Sequence, residues 1–139
     1  MSEVRSLKRG QPTKRAPRNT GPTTAVRKGV VERAHGVCER CGQAIRGDYS
    51  IHHRKPRGMG GTTDPAANSP SNLVLLCGSA TTPGGCHTSV EKFRDAAVAT
   101  GWIVPRSGNP ATVPIKRHNG WFILNADYTM TRTVRPEEQ

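Results

Sequence analysis

Four cysteines and three histidines stand in this chain in an order that can hold metal in two ways. Two residues separate Cys38 from Cys41, and eight separate Cys77 from Cys86. A Cys-x-x-Cys turn brings two thiolates close enough to grip one ion, and a second pair completes the tetrahedral shell of a structural zinc. The stretch from Gly78 to Gly85 is wide for such a pair, so it must fold out as a loop for the shell to close. Four thiolates leave no open position, so that ion would build rather than catalyse. His52-His53, Asn72 and His87 offer different chemistry. Imidazole serves as a metal ligand or as a general base near neutral pH, and the two roles demand different histidines. His87 directly follows Cys86, so the zinc shell would fix where His87 points. Glu91 falls one helical turn after His87, on the same face.

The elements that must position these residues are short. Val26, Val30 and Val31 share one face of a helix expected from Thr23 or Thr24 toward Ala34, with Gly36 placed to stop it. Residues 49–53 read as a strand carrying both adjacent histidines. Neighbours on a regular strand point to opposite faces. Both can serve one site only where the strand ends or bends, as Arg54-Lys55-Pro56 suggests. A long polar loop leads to Asn72, and Leu73 to Leu76 reads as a buried strand. From His87 to Thr100 the pattern is helical, with Val90, Phe93, Ala97 and Val98 expected on one buried face and Gly101 at its end. Three short strands are expected beyond: Trp102 to Val104, Val113 to Arg117, and Trp121 to Leu124. Asn119-Gly120 is a hairpin signal between the last two. Thr131 to Gln139 shows no pattern. His35 and His118 read as surface residues.

Composition bounds what such a chain can do. It has 139 residues, of which 33% are hydrophobic and 4% aromatic, too little apolar material for a thick core. Small domains of this kind commonly rely on a metal or disulfides. Met-Ser-Glu-Val-Arg has no apolar stretch resembling a signal peptide, so a cytoplasmic location is expected, where thiols stay reduced and favour metal over disulfide. The formal charge of +11 favours a polyanionic partner, of which nucleic acid is the usual one. No apolar run approaches the roughly 20 residues that span a bilayer, so no membrane partner is expected. Residues 1–22 are expected as a disordered basic arm, 23–105 as the metal-stapled domain, and 106–139 as a hairpin extension with a tail.

Cys38-x2-Cys41, Ile51-His52-His53-Arg54, Gly60-Gly61, Asn72-Leu73-Val74-Leu75-Leu76-Cys77 and Cys86-His87 resemble the HNH endonucleases. More narrowly they resemble the small zinc-containing versions from phages and actinobacteria. The resemblance covers roughly residues 30 to 100. It implies an α+β fold: a ββα-metal core stapled by a four-cysteine zinc, with a C-terminal β-hairpin extension. It implies a metal-dependent DNA endonuclease or nickase leaving 5′-phosphate and 3′-hydroxyl ends. His53 would be the general base, and Asn72 would steady the loop and orient it. His52 and His87 would hold a catalytic divalent ion such as Mg²⁺, Mn²⁺ or another first-row metal. Arg54, Lys55 and Arg57 would bind phosphates beside the cut. Phage association, with packaging proteins such as a terminase as partners, follows from the narrower resemblance alone. Two departures stand out: the spread second cysteine pair, and Glu91 where relatives often carry another histidine.

A non-catalytic zinc module that binds nucleic acid through charge is the alternative. It accounts for the cysteines and the +11, but not for His52, His53, Asn72 and His87 in sequence. A bacterial nuclease toxin is a third reading, disfavoured by the absence of an expected secretion segment.

Overall fold

The computed structural model describes residues 21–56 and 65–138. Arg57, Gly60-Gly61 and nearly all of the basic N-terminal arm lie outside the described residues. Helix α1, Thr24–Arg33, starts where the Thr23 hydroxyl accepts from Val26 N–H, satisfying one of the open amides of the first turn. It stops at two consecutive left-handed residues, His35 (φ 55°) and Gly36 (φ 70°).

Strands β1, Tyr49–His53, and β2, Leu73–Cys77, form an antiparallel hairpin with His52 opposite Val74 and His53 opposite Leu73. β2 is buried on both faces, which accounts for its unbroken apolar run. Leu73 and Leu75 pack with Val30 and Ala34 on the α1 side. Val74 and Leu76 pack on the other side with Cys38, Cys86, Val90 and Trp102. Helix α2, Cys86–Lys92, and helix α3, Arg94–Ala99, follow the hairpin. The α2 unit lies against the hairpin, which completes a ββα arrangement of the expected α+β class.

Beyond it, β3, Ile115–Arg117, β4, Gly120–Leu124, and β5, Met130–Thr133, make a three-stranded antiparallel sheet. Three expectations change here. The extension has a third strand, β5, because Met130 to Thr133 pairs along β4 although its sequence is polar and shows no alternation. Trp102 to Val104 is irregular; it ties back by Trp102 N–H and Ile103 N–H to Ala97 O, and Val104 N–H donates to Arg54 O at 2.8 Å. The long helix breaks at Phe93 (φ −106°, ψ 61°), so Phe93 and Val98 turn outward while Val90 and Ala97 stay buried. The extension also shares the main core, since Ile115 and Leu124 pack in the cluster that holds Val74 and Trp102.

A buried ion cluster locks these parts together. Glu39, inside the first cysteine turn, is fully buried. It accepts from Arg33 Nε at 3.1 Å and Nη2 at 3.0 Å, and from Leu75 N–H at 2.8 Å; Arg117 Nη2 lies 3.3 Å away. One carboxylate thus joins α1, β2 and β3 to the metal knuckle. Removing one partner of a buried pair leaves uncompensated charge, which costs about 3–5 kcal/mol. Urea denaturation of Glu39→Ala is expected to show a loss of that size; a loss under about 1 kcal/mol would show that Glu39 is not the joint.

Candidate metal centres and active site

The cysteine centre is built by two backbone devices. Val37 bridges to Ala44, Cys38 N–H donates to Gln43 O, and Gly42 N–H to Cys38 O, which shapes the Cys38–Cys41 turn. The wide second pair closes because Gly78 and Gly85 meet backbone to backbone. A Cβ on Gly85 would lie 3.0 Å from Gly78 Cα, and Gly78 itself has φ +79°. The residues between them form a tight loop, held by Thr88 Oγ1, which donates at 3.1 Å to Ser79 O or at 2.8 Å to Thr82 O. All four Sγ atoms lie within 4.8 Å of one another. Zn–S bonds of about 2.3 Å in a tetrahedron set sulfurs about 3.8 Å apart. Cys41 and Cys77 Sγ stand 3.9 Å apart. Cys86 N–H donates to Cys77 Sγ, and Arg40 Nη1 to Cys86 Sγ at 3.4 Å, contacts that favour thiolates. The Cys86 thiol holds Cys38 down to about 4, while Cys38 and burial push Cys86 up. The donor set fits zinc.

The second cluster gathers His52, His87 and Glu91, whose ligand atoms also lie within 4.8 Å of one another. Hydrogen bonds fix which ring atoms face inward. His52 Nε2 lies 3.0 Å from Trp102 O, a carbonyl that can only accept, so Nε2 carries the hydrogen and Nδ1 the lone pair. Burial, chiefly, pushes His52 down to about 4, so its ring is neutral at pH 7. Ser50 Oγ donates its one hydrogen to Gly78 O at 2.9 Å and must accept from His87 Nδ1 at 2.8 Å. His87 Nε2 is thereby left facing Glu91 Oε1, 3.8 Å away. Two imidazole lone pairs and a carboxylate converge, a donor set that fits a divalent ion.

His53 follows His52 at the end of β1, and both rings line one cleft of about 350 Å³ with His87, Glu91 and Arg94. His53 Nε2 lies 2.8 Å from Asn68 Oδ1, which accepts from it.

The other expected site residues fall differently. Asn72 is buried and grips backbone: its Oδ1 accepts from Lys55 N–H at 2.8 Å, its own carbonyl accepts from Arg54 N–H, and its Nδ2 donates to Ala67 O. It thus steadies the loop after His53, while Asn68 makes the contact to the His53 ring. Arg54 is not placed to bind phosphate. It is fully buried, and its guanidinium donates to Gly101 O, Ser71 O, Pro110 O and Val113 O at 2.8–3.0 Å. These four carbonyls make it a staple between loops, and burial pushes it down to about 9, still charged at pH 7. Lys55 is half-buried with Nζ on Gly108 O at 3.2 Å.

Ser50, Asn68, Glu39 and Arg94 were not singled out from sequence. A signal for Ser50 existed: it stands two before His52 and shares its strand face. The others depend on contacts far along the chain.

The ββα unit thus carries two metal-binding candidates side by side, a four-thiol cluster and an open histidine–carboxylate cluster. Residues 38–92 match the family model for HNH endonuclease, and this segment, which holds both clusters, is an HNH endonuclease domain. HNH domains use divalent metals, and an endonuclease domain implies a nucleic-acid substrate. Comparison with curated proteins and with solved structures gave no match. Among the described residues, no helix is long and apolar enough to cross a membrane.

Groups that fix ligand tautomers tune metal affinity, commonly by 10–100-fold. Ser50→Ala is therefore expected to weaken divalent-ion binding at the histidine cluster by about that factor. Mn²⁺ titration followed by electron paramagnetic resonance reads it; unchanged affinity would show that Ser50 does not orient His87.

Proposed function

We propose that the chain is a metal-dependent DNA endonuclease or nickase in which His53 is the general base. The observation that carries this reading is the shared cleft: His53 opens onto the same space as the His52–His87–Glu91 donor set but is not part of it. A base and a metal site within one cleft are what phosphodiester hydrolysis requires.

His52 Nδ1, His87 Nε2 and Glu91 would hold the catalytic ion, with Mg²⁺ or Mn²⁺ favoured by the carboxylate. That ion, when bound, stabilises charge on the reacting phosphate. His53 takes a proton from the attacking water, and its hydrogen bond to Asn68 Oδ1 holds the ring in place as charge develops. Asn72 fixes the backbone that follows the base. Arg94, exposed at the cleft wall, is placed to meet a phosphate beside the cut, a role that buried Arg54 does not fill. Lys55 and Arg57, which follow in sequence, would add flanking charge. The four cysteines would carry structural zinc and hold the start of α2, so that His87 keeps its position.

Water attack with loss of the 3′ oxygen leaves 5′-phosphate and 3′-hydroxyl ends. Those ends are the substrate of DNA ligase, which gives the test. Plasmid relaxed by the purified chain with Mg²⁺ or Mn²⁺ should be resealed by ligase without further treatment. Relaxed circles that ligase cannot close would refute the assigned chemistry. Support for phage association, a terminase partner and a host-cytoplasmic location comes from the narrower sequence resemblance.

A further inference from the structure

The Lys92-Phe93-Arg94 segment belongs to neither metal cluster, yet it borders the cleft. We propose that it is a base-stacking ridge: Phe93 stacks on an unpaired base of a DNA strand crossing out of the histidine cleft, and Lys92 and Arg94 meet the flanking phosphates. The inference rests on the nuclease reading for its ligand and adds a preference, for strands with unstacked bases over regular duplex.

The ridge arises from the helix break. In an uninterrupted helix Phe93 would follow Val90 by three residues and precede Ala97 by four, on the face those two residues bury. The break between α2 and α3 turns the ring out instead, and Phe93 is 56% exposed. Single exposed apolar residues are ordinary. This one sits between cations. Lys92 Nζ lies 5.5 Å from the ring centroid, and Arg94 follows directly. Asp95, next in sequence, lies in the first turn of α3, where the helix dipole favours an acid.

Its position is the second observation. Arg94 lines the cleft that holds His52, His53 and His87. Phe93 lines a separate groove, also of about 350 Å³, whose walls include Arg40, Lys116 and His118 and no carboxylate. The ridge therefore stands between a cleft built for phosphate chemistry and a groove of positive sign. Aromatic rings flanked by cations along a basic path are how single strands are held without regard to sequence.

Binding is tested apart from cleavage, with the full zinc-loaded chain carrying His53→Ala. The probes are a 2-aminopurine-labelled single strand and a duplex of equal length. The parent is expected to bind the single strand more tightly and to quench the 2-aminopurine by stacking. Phe93→Leu should lose about tenfold in single-strand affinity together with the quenching, while Phe93→Trp keeps both. The salt dependence should not move, because no charge is removed. Equal affinity and quenching in Phe93→Leu would overturn the ridge, and an equal loss on duplex would overturn the preference for unpaired bases. A thermal melt of each variant confirms folding, which the exposure of Phe93 leaves intact. If the chain with His53 restored fails to nick DNA while the Phe93 effect persists, the nuclease reading fails and the ridge stands. Nicking with no Phe93 effect gives the reverse.

Discussion

Cys38→Ser is expected to abolish the cooperative thermal transition of the domain. Cys38 is fully buried and lies in the main core with Val74, Leu76 and Trp102, so its sulfur would be a metal ligand and a core atom at once. Structural zinc binds with an apparent energy on the order of 10 kcal/mol, and that energy is folding energy where the site does not preexist in the unfolded chain. Net stabilities of whole domains are only about 5–15 kcal/mol. Losing the ion therefore removes most of what holds so thin a core. Circular dichroism and zinc content measured together check this. The parent should carry one tightly held zinc, and a strong chelator should erase the transition until zinc is returned. Cys41→Ser, at the exposed corner of the cluster, should be milder than Cys38→Ser. A transition that survives complete zinc removal would show that the apolar core suffices.

His53→Ala is expected to lower the rate of DNA nicking by about 10²–10⁴-fold, the usual contribution of a positioned general base. Metal content should not change, because the clustered donors are His52, His87 and Glu91. His87→Ala should differ in kind: activity falls because the divalent ion is lost, while the zinc, held by the neighbouring Cys86, remains. Should His53→Ala also lose the divalent ion, His53 would be a ligand and the base would lie elsewhere.

The parts of this site legible in sequence are those set by local spacing. The Cys38-x-x-Cys41 turn, the Cys86-His87 junction and the two-sided β2 each follow from a few adjacent residues. So does the hairpin at Asn119-Gly120. What escaped was decided by distant partners. Arg54 sits in a run of cations and reads as a phosphate contact, yet carbonyls from Ser71, Gly101, Pro110 and Val113 draw it inside. Phe93 fits the apolar face of one long helix, but the helix breaks at that residue. Asn68 looks like a loop residue beside Pro70, and only the folded loop brings it to His53. The spread second cysteine pair was the weakest part of the pattern. The close contact between Gly78 and Gly85 is what closes it.

Relaxation of supercoiled plasmid, with the divalent ion omitted and then restored, tests the central claim most directly. Zinc-loaded protein alone should leave the plasmid supercoiled. Adding Mg²⁺ or Mn²⁺ should produce nicked circles, and His53→Ala with the same ions should not. Equal backgrounds from the parent chain and His53→Ala under every metal would contradict the account and leave a zinc module that only binds.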